Sequence, residues 1–404
     1  MRAALSGGIP RYRAWGGPAL FAHGFRPFFL AAGLWAAVAL GLWLMVLGGT
    51  LVLPTAFVPV VWHAHEMLFG FAMAAVAGFL LTAVPNWTGR MPLQGLPLVG
   101  LALLWLAGRA AVAGSELLGP AVAAAVDLAF PLALLLVVLL EVLAGRNWRN
   151  LPVTAAAAVL LTANLLTHLE PLGLAASAES GLRLGLATLT ALISLIGGRV
   201  VPSFTTNWLK KRGEAPLPAP FGRLDRAALA LTVLALLAWV AAPDWPTTGA
   251  LALAAGLAQA LRLARWRGHR TLAEPLVWVL HLGYAWVPLG LVLLALAALL
   301  PDVLPAAAAP HALGAGAVGT MTLAVMTRAT LGHTGRPLAA GPATAAIYGL
   351  VTAAALARLA SAVLPEAALA LLSAAGLFWL AGFGLFLARY GPMLLGPRTD
   401  RQPG

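Results

Sequence analysis

The sequence predicts an all-α protein that crosses a lipid bilayer about twelve times. Of its 404 residues, 61% are hydrophobic and only 9% are charged, which leaves too little polar surface for a soluble domain. The apolar residues are gathered into runs of about 20, the length at which a helix crosses the hydrocarbon core. We therefore expect one polytopic transmembrane domain, 28–392, between a cytoplasmic N-terminal segment, 1–27, and a cytoplasmic C-terminal tail, 393–404.

Each predicted crossing is one apolar run, and charged residues separate the runs. The runs carry few ionised side chains, because such a group costs a few kcal/mol or more in hydrocarbon. In chain order they lie at 28–48, 64–86, 96–114, 120–144, 151–170, 182–208, 224–242, 248–264, 274–299, 306–331, 341–364 and 367–390.

Basic residues between the runs predict the orientation in the membrane. The net charge is +12, which in a soluble protein would suggest nucleic acid. Here the cations occur in every second loop, as expected for loops that face the cytoplasm, so no nucleic-acid partner is expected. This alternation places both termini in the cytoplasm. The predicted cytoplasmic cations are Arg2, Arg11, Arg13, Arg26, Arg90, Arg146, Arg149, Lys210, Lys211, Arg212, Arg223, Arg226, Arg262, Arg265, Arg267, Arg270, Arg336, Arg398 and Arg401. The intervening loops carry Glu116, Glu179, Asp244, Asp302 and Glu366, with Arg183 as an exception.

The chain contains no cysteine. This excludes disulfides, iron–sulfur clusters and thiolate metal sites, and leaves His, Met, Asp and Glu as metal ligands. The first residues, MRAALSGGIPRYRAWGG, have no apolar core that ends in small residues, so no cleaved signal peptide is expected.

The second and tenth runs share a histidine and a terminal TGR at equal spacing. From His65 to Thr88 is 23 residues, and from His311 to Thr334 is also 23. On parallel regular helices the two imidazoles would lie at one depth, about 35 Å from the TGR ends. We therefore expect His65 and His311 to be the axial ligands of one planar macrocycle, a heme.

The neighbouring residues His63 and Glu66, with His168, are predicted ligands of a second metal such as copper, since copper accepts imidazole. His63 and His65 are two residues apart, so on a regular helix they point to nearly opposite sides. One of the two could therefore be only an interfacial residue.

The spacing of the two histidine helices allows a pseudo-threefold 4+4+4 arrangement, because they are eight helices apart. The sixth run is the third equivalent, and its VVPSFTTNWLKKR resembles the AVPNWTGR of the second. It supplies Arg199 but no histidine.

Other polar residues fall into two predicted layers. Arg109, Asp127 and His168 lie near the level of His63, His65, Glu66 and His311; the inner layer is His23, Arg26, Arg199, Asn207, Arg328 and His333, with His281 about a third of the way in from the cytoplasm.

The arginines Arg109, Arg199 and Arg328 are candidates for heme propionates. Arg328 could instead snorkel to the interface, whereas Arg199 needs a buried partner. His23, His281 and His333 are further candidate metal ligands. Each also has a simpler alternative: His168 and His281 as hydrogen-bonded structural residues, and His23 and His333 as interfacial residues.

Five blocks of the sequence resemble the signature of the NnrS family. They are GFRPFFLAA (24–32), WHAHEMLFGF (62–71), GGRVVPSFTTNW (197–208), HLGYAWVPLG (281–290) and GTMTLAVMTRATLGHTGRPL (319–338). The resemblance covers about residues 20–390. It implies a bacterial inner-membrane protein that is associated with denitrification and nitric oxide stress and that binds heme and copper.

The architecture is also similar to the catalytic subunits of heme-copper oxidases and nitric oxide reductases, in which the second and tenth of twelve helices hold a heme. The sequence departs from that pattern, because the sixth run has no histidine, the seventh has no His-His pair, and no second histidine lies two residues from His311. Enzymatic activity therefore stays open.

Three functions remain at this point. The protein binds nitric oxide or protects cellular iron from it; or it transports a metal or an iron-nitrosyl complex along His281, Arg199 and His333; or it is a redox enzyme that acts on nitric oxide. The sequence does not decide the oligomeric state.

Overall fold

The computed structural model describes residues 15–399, and this part of the chain is helical and contains no strand. A helix covers each of the predicted runs. We number these helices in chain order. Helices α1 to α9 are Phe25–Leu47, Pro59–Thr88, Leu96–Ala113, Pro120–Ala144, Leu151–Leu169, Ala178–Lys211, Arg223–Ala241, Pro246–Ala264 and Pro275–Leu299. Helix α10 consists of the consecutive segments Ala308–His311, Ala312–Val318 and Gly319–His333, and α11 and α12 are Pro342–Val363 and Ala368–Leu395. Short helical turns lie at Ala19–Phe21, Ser115–Leu118, Trp148–Asn150, Gly268–Arg270 and Pro365–Ala367. The predicted loop cations Arg2, Arg11, Arg13 and Arg401 lie outside the described residues.

Among the described helices, 10 are long and apolar enough to cross a membrane. The two others are α8, in which Gln259 and Arg262 interrupt the apolar sequence, and α10, which is divided into three segments. The protein therefore has the helices of a multi-pass membrane protein. The count of twelve crossings and the cytoplasmic position of both termini stay predictions.

Proline and glycine mark the helix boundaries. Proline is the first residue of α2, α4, α8, α9 and α11, a position where its missing N–H costs no hydrogen bond. The two TGR motifs end helices: Gly89 after α2 and Gly335 after α10 have φ of 72° and 74°, which a residue without Cβ adopts readily. The shared TGR is thus a pair of equivalent helix ends.

Within residues 15–399, three helices contain a π-helical segment, and they are the three that the 4+4+4 arrangement makes equivalent. The segments are Glu66–Ala72 in α2, Ile193–Gly197 in α6 and Ala312–Val318 in α10. In α2 and α10 the π segment begins directly after His65 and His311. A π turn adds a residue to the helical repeat and rotates the side chains that follow. The recurrence of this feature agrees with a threefold plan.

Helices α2 and α6 lie at the centre of the bundle. In α2, 72% of an 18-residue apolar window is buried, and in α6 61%, against 22% in α1. Helix α6 packs against the π segments of both α2 and α10, and α1 packs against α12. The chain therefore closes on itself around a centre formed by the helices that carry π segments.

Arg26 at the start of α1 binds the end of α12. Sequence analysis placed it among the cytoplasmic cations, but the side chain is buried. Its Nη1 donates to the carbonyl oxygens of Met393, Leu394 and Gly396 at 3.3, 2.9 and 2.6 Å. The last carbonyls of a helix have no partner within the helix and carry partial negative charge. Arg26 supplies both the missing donors and a positive charge, and so joins the first helix to the last.

We expect Arg26→Leu to destabilise the protein by about 1.5–3 kcal/mol, the range for hydrogen bonds to a charged group. Thermal unfolding in detergent, followed by circular dichroism, measures the effect. Arg149→Leu is the matched control, since Arg149 is exposed. Equal melting temperatures for the two variants would contradict the capping role.

Candidate functional site

The most concentrated group of buried polar side chains lies among α2, α3, α4 and α5. We call it the carboxylate–histidine cluster. Its residues are fully or almost fully shielded from solvent, although they come from helices that are otherwise apolar. The members are His65 and Glu66 from α2, Arg109 from α3, Asp127 from α4, and Asn164 and His168 from α5.

Arg109 joins the two carboxylates of the cluster. Its Nη1 donates to Glu66 Oε1 at 2.7 Å, and its Nη2 donates to Asp127 Oδ1. Trp35 Nε1 from α1 donates to the other oxygen of Glu66 at 2.6 Å. Buried charges need paired partners with hydrogen bonds, and one guanidinium holds both carboxylates in fixed positions.

His65 is oriented by a carboxylate on one side and faces two oxygen atoms on the other. Its Nδ1 lies 3.0 Å from Glu66 Oε1, where it is the donor. Its Nε2 lies 2.8 Å from Asn164 Oδ1 and 3.3 Å from Asp127 Oδ2. The amide nitrogen of Asn164 donates to Asp127 Oδ2 at 2.8 Å, which fixes the amide oxygen toward His65. Nε2 therefore faces only acceptors, so a positive centre, either a proton or a metal ion, belongs at this position.

His168 approaches the same carboxylate oxygen from α5. Its Nε2 lies 2.9 Å from Asp127 Oδ2, and its ring is edge-on to the His65 ring at 5.4 Å. Ligand atoms of His65, Asp127 and His168 all lie within 4.8 Å of one another. Two ligands of one first-row metal ion are separated by up to about 4 Å, twice a metal–nitrogen bond. The three side chains could therefore hold such an ion after a small contraction.

The formal charges of the cluster do not cancel when both imidazoles are neutral. Glu66 and Asp127 carry two negative charges and Arg109 one positive charge, within a site closed to solvent. The remaining negative charge favours a cation at the point where His65, His168 and Asp127 meet. The charge of the site and the geometry of its donors thus point to the same position.

Aromatic and small residues close the cluster. Phe57 packs against the rings of His65 and His168 at 5.2 and 5.3 Å, and Phe69 packs against His65 at 5.1 Å. Between α3 and α4, a Cβ on Gly108 would lie 2.8 Å from Asp127 Oδ1. Only glycine lets the two helices approach this closely.

The sequence prediction named most of this cluster but not its connections. Arg109, Asp127 and His168 were placed at the level of His65 and Glu66, and the structure brings these five together. Asn164 and Trp35 were not predicted. Asn164 had a usable signal, since it lies four residues before His168 on the same face of α5; Trp35 had none.

His311 belongs to a different group from His65. Both ring nitrogens of His65 are engaged within the carboxylate–histidine cluster, whereas Nδ1 of His311 lies 2.7 Å from the carbonyl oxygen of Ala307. His63 stacks on Trp43 of α1 with ring centroids 4.7 Å apart. Within residues 15–399 no hydrogen bond or ring contact joins His65 to His311, or His63 to Glu66 and His168. The pairing of His65 with His311 and the sharing of one metal by His63, Glu66 and His168 therefore stay predictions.

The three arginines that were predicted to bind heme propionates have different surroundings. Arg109 is occupied by carboxylates, and Arg328 lies 3.8 Å from the ring centroid of Phe204. Arg199 is exposed and makes no ion pair within residues 15–399, so the prediction that it is buried and paired is wrong. The π segment directly before it rotates the helix, and Gly198 takes the inward position instead.

Arg262, rather than Arg199, is the buried arginine beside the π segment of α6. Sequence analysis counted it as a loop cation, but it is fully buried in α8. Its Nε donates to Asp225 Oδ1 at 2.8 Å, and its Nη1 donates to the carbonyl oxygen of Ser194 in the π segment of α6 at 3.0 Å and to the Tyr284 hydroxyl at 2.9 Å. A Cβ on Gly198 would overlap the guanidinium. Arg262 and Asp225 thus form a second buried ion pair.

The histidines predicted for the inner layer do not form one site with the cluster. Phe25 lies between His23 and His333, with ring centroids at 6.0 and 5.3 Å, and these residues border a cavity of about 30 Å³. Burial, with Arg26, His333 and Arg398 nearby, lowers the pKa of His23 to about 4. His281 shares a hydrogen bond of 2.8 Å with Thr205, as expected for a structural histidine.

Comparison with known proteins gives one family. The family described as NnrS protein matches residues 19–398, nearly the whole chain. No curated protein matches the sequence.

We expect Arg109→Leu to be severely destabilising, because it leaves two buried carboxylates without their counter-charge. The loss of one partner from a buried ion pair costs about 3–5 kcal/mol. The yield of folded protein on size-exclusion chromatography and its melting temperature measure this effect.

Arg199→Leu is the matched control for that variant, since it removes an exposed arginine from another helix, α6. It should fold and melt like the wild type. Comparable losses in the two variants would show that the ion pairs of Arg109 are not what stabilises the bundle.

Proposed function

The chain belongs to the NnrS family, and from this premise we propose that it is a multi-pass membrane protein of the nitric oxide response that holds copper in the carboxylate–histidine cluster. The proposed place is the bacterial inner membrane, with twelve crossings and both termini in the cytoplasm. The proposed ligand is nitric oxide or an iron-nitrosyl species. By binding this ligand, the protein would protect cellular iron from nitric oxide.

The observation that carries this proposal is the environment of His65 Nε2. Glu66 orients the imidazole through Nδ1, the arrangement by which carboxylates orient metal-binding histidines. Nε2 then faces oxygen acceptors of Asn164 and Asp127. A copper ion there would take imidazole nitrogens and a carboxylate oxygen, donors that suit copper in a site without cysteine.

The residues around the ligands have separate roles in this proposal. Arg109 and Trp35 hold Glu66, and so hold the tautomer of His65. Asn164 donates to Oδ2 of Asp127 and Arg109 donates to Oδ1, so both carboxylate oxygens are held. Phe57 and Phe69 exclude water from the imidazoles. Copper would supply a centre at which a small uncharged ligand such as nitric oxide can coordinate.

Heme is the second cofactor that family membership implies, and the carboxylate–histidine cluster does not fit it. The side chains of His65 and Asp127 are fully buried, and each is packed against several hydrogen-bonded neighbours. A macrocycle would have to separate α2 from α5. We therefore propose that the carboxylate–histidine cluster is not a heme site.

The transport hypothesis gains no support from the inner residues. Its proposed path consisted of His281, Arg199 and His333. His281 is hydrogen-bonded to Thr205, Arg199 is exposed, and His333 packs against Phe25. These side chains do not face one another along a path. A redox activity on nitric oxide is compatible with the proposed metal but is not required by it.

We expect His65→Ala, His168→Ala and Asp127→Asn each to lose the copper of the purified protein. Each variant removes one of the three proposed donors. Copper per protein is measured by mass spectrometry after Cu(I) is added and the excess removed, and each variant should retain less than about a tenth of the wild-type content, a loss of at least 1.4 kcal/mol in binding.

His269→Ala serves as the control, because His269 is exposed in the turn Gly268–Arg270 that follows α8. It should bind copper like the wild type. Wild-type content in the Asp127→Asn and His168→Ala variants would exclude the proposed site.

The proposed orientation predicts the outcome of fusions to alkaline phosphatase, which is active only outside the cytoplasm. Fusions in the segments between α1 and α2 and between α9 and α10 should be active. Fusions after Arg149 or Arg267 should be inactive, because these arginines mark cytoplasmic loops under the positive-inside rule. Activity at both kinds of position would contradict twelve crossings.

A further inference from the structure

We infer that a phospholipid with an anionic headgroup binds in two adjoining cavities beside Arg90, at the end of α2. Its phosphate lies at the Arg90 guanidinium, and one acyl chain lies between α2 and α4. This site is separate from the proposed copper site, because Arg90 follows the last turn of α2 whereas His65 lies near its start.

The first observation is an apolar cavity of about 320 Å³ between α2 and α4. Val84 of α2, Val137 and Val138 of α4, and the segment 91–94 line it. Leu140, about one turn after Val137, is exposed, so the cavity lies near the lipid-facing side of α4. An apolar cavity gives water no hydrogen-bond partners, and this volume is large enough for a ligand. A hydrocarbon chain from the bilayer suits it.

The second observation is that the cavity of about 30 Å³ beside His23 and His333 adjoins this apolar cavity. Leu81, Pro85 and Pro92 border both cavities, so the two lie side by side. The smaller cavity is also lined by Asn86 and Arg90, in addition to the two histidines. A polar space next to an apolar one matches a molecule with a polar head and a hydrocarbon chain.

Hydrogen bonds hold the segment that separates these cavities from the cytoplasmic loop. Gln94 Nε2 donates to the carbonyl oxygen of Ala22 at 3.3 Å. The backbone N–H of Gly95 donates to the carbonyl oxygen of Phe21 at 3.0 Å. The segment after Arg90 is thereby tied to the turn that precedes α1, and the walls of both cavities are part of the fold.

Arg90 is the donor that we assign to the phosphate. Its Nε donates to Glu141 Oε2 at 2.6 Å, which fixes the plane of the guanidinium. Within residues 15–399 its two terminal nitrogens have no hydrogen-bond partner. The side chain is half-exposed at the end of the helix, the level at which lipid headgroups lie. A guanidinium donates paired hydrogen bonds to phosphate oxygens.

The charge around the smaller cavity favours an anionic headgroup. The guanidinium of Arg26 lies 5.5 Å from the ring centroid of Phe25, which lines the cavity. Arg336 follows His333, which lines it from α10. Both arginines donate to backbone carbonyl oxygens, and neither pairs with a carboxylate within residues 15–399. Basic pockets between helices at the cytoplasmic side bind anionic lipid headgroups, whereas a neutral headgroup leaves these charges unbalanced.

The test is native mass spectrometry of the full-length protein in detergent, mixed with phosphatidylglycerol or with phosphatidylcholine. The wild type should retain the anionic lipid at least about fivefold better, the factor that one arginine contributes near an anionic lipid. Arg90→Gln should lose this preference, and Arg90→Lys should keep part of it because the charge remains. Arg149→Gln is the matched control and should behave like the wild type, since Arg149 is exposed in another loop.

A second pair of variants tests the apolar cavity without changing any charge. Val137→Trp fills the cavity and should lower the retention of phosphatidylglycerol at least about fivefold, while Leu140→Trp, on the exposed side of the same helix, should not. Inorganic phosphate distinguishes a lipid from a free anion. Phosphatidylglycerol should raise the melting temperature of the wild type, and inorganic phosphate at the same concentration should not.

Equal retention of the two lipids overturns the inference, as does wild-type retention by Arg90→Gln or by Val137→Trp. Stabilisation by inorganic phosphate that matches the effect of phosphatidylglycerol also overturns it, because the site then takes a free anion. The copper content of Arg90→Gln and Val137→Trp should equal that of the wild type, so the lipid site and the proposed copper site stand or fail separately.

Discussion

The bridge that Arg109 makes between the carboxylates of Glu66 and Asp127 is the interaction on which the centre of this protein depends. Two carboxylates are placed among helices whose other side chains are apolar, where an unpaired charge would cost several kcal/mol. The guanidinium removes most of that cost and ties α2, α3 and α4 together. Because it fixes Glu66, it also fixes the ring of His65, so the stability of the bundle and the geometry of the candidate metal site have one origin.

Buried arginines perform the same task elsewhere in the bundle. Arg262 joins α8 to α7 through Asp225 and satisfies a carbonyl oxygen in the π segment of α6. Arg26 satisfies the last carbonyls of α12. In each case a positive side chain meets backbone or carboxylate oxygens that would otherwise be unpaired in an apolar environment. The basic excess of the chain therefore has two roles, one in the loops and one inside the bundle.

The π segments affect which residues of the central helices α2, α6 and α10 face inward. Each of α2, α6 and α10 changes its helical phase near a candidate residue: after His65, before Arg199 and after His311. The phase change alters which residues face inward, and it leaves carbonyl oxygens that need outside donors. Trp105 Nε1 donates to Gly70 in one segment and Arg262 to Ser194 in another. The equivalence of the three helices is thus expressed in their backbones more clearly than in their side chains.

The sequence by itself determined the helical membrane class, the position of each long helix and the residue types of the candidate sites, because hydrophobic run length, helix-ending glycines and isolated polar residues are local signals. It also predicted that His65, Arg109, Asp127 and His168 lie at one level of the bundle, and in the structure these side chains are in contact. Only the tertiary structure decided their partners. The side of a helix on which a residue lies depends on every turn before it, and a π segment changes that count without a mark in the composition. For this reason Arg199 was expected inside and is exposed. Arg262 was expected in a loop and is buried, because Asp225 of α7 and the Ser194 carbonyl of α6, which are distant in the sequence, lie at its guanidinium.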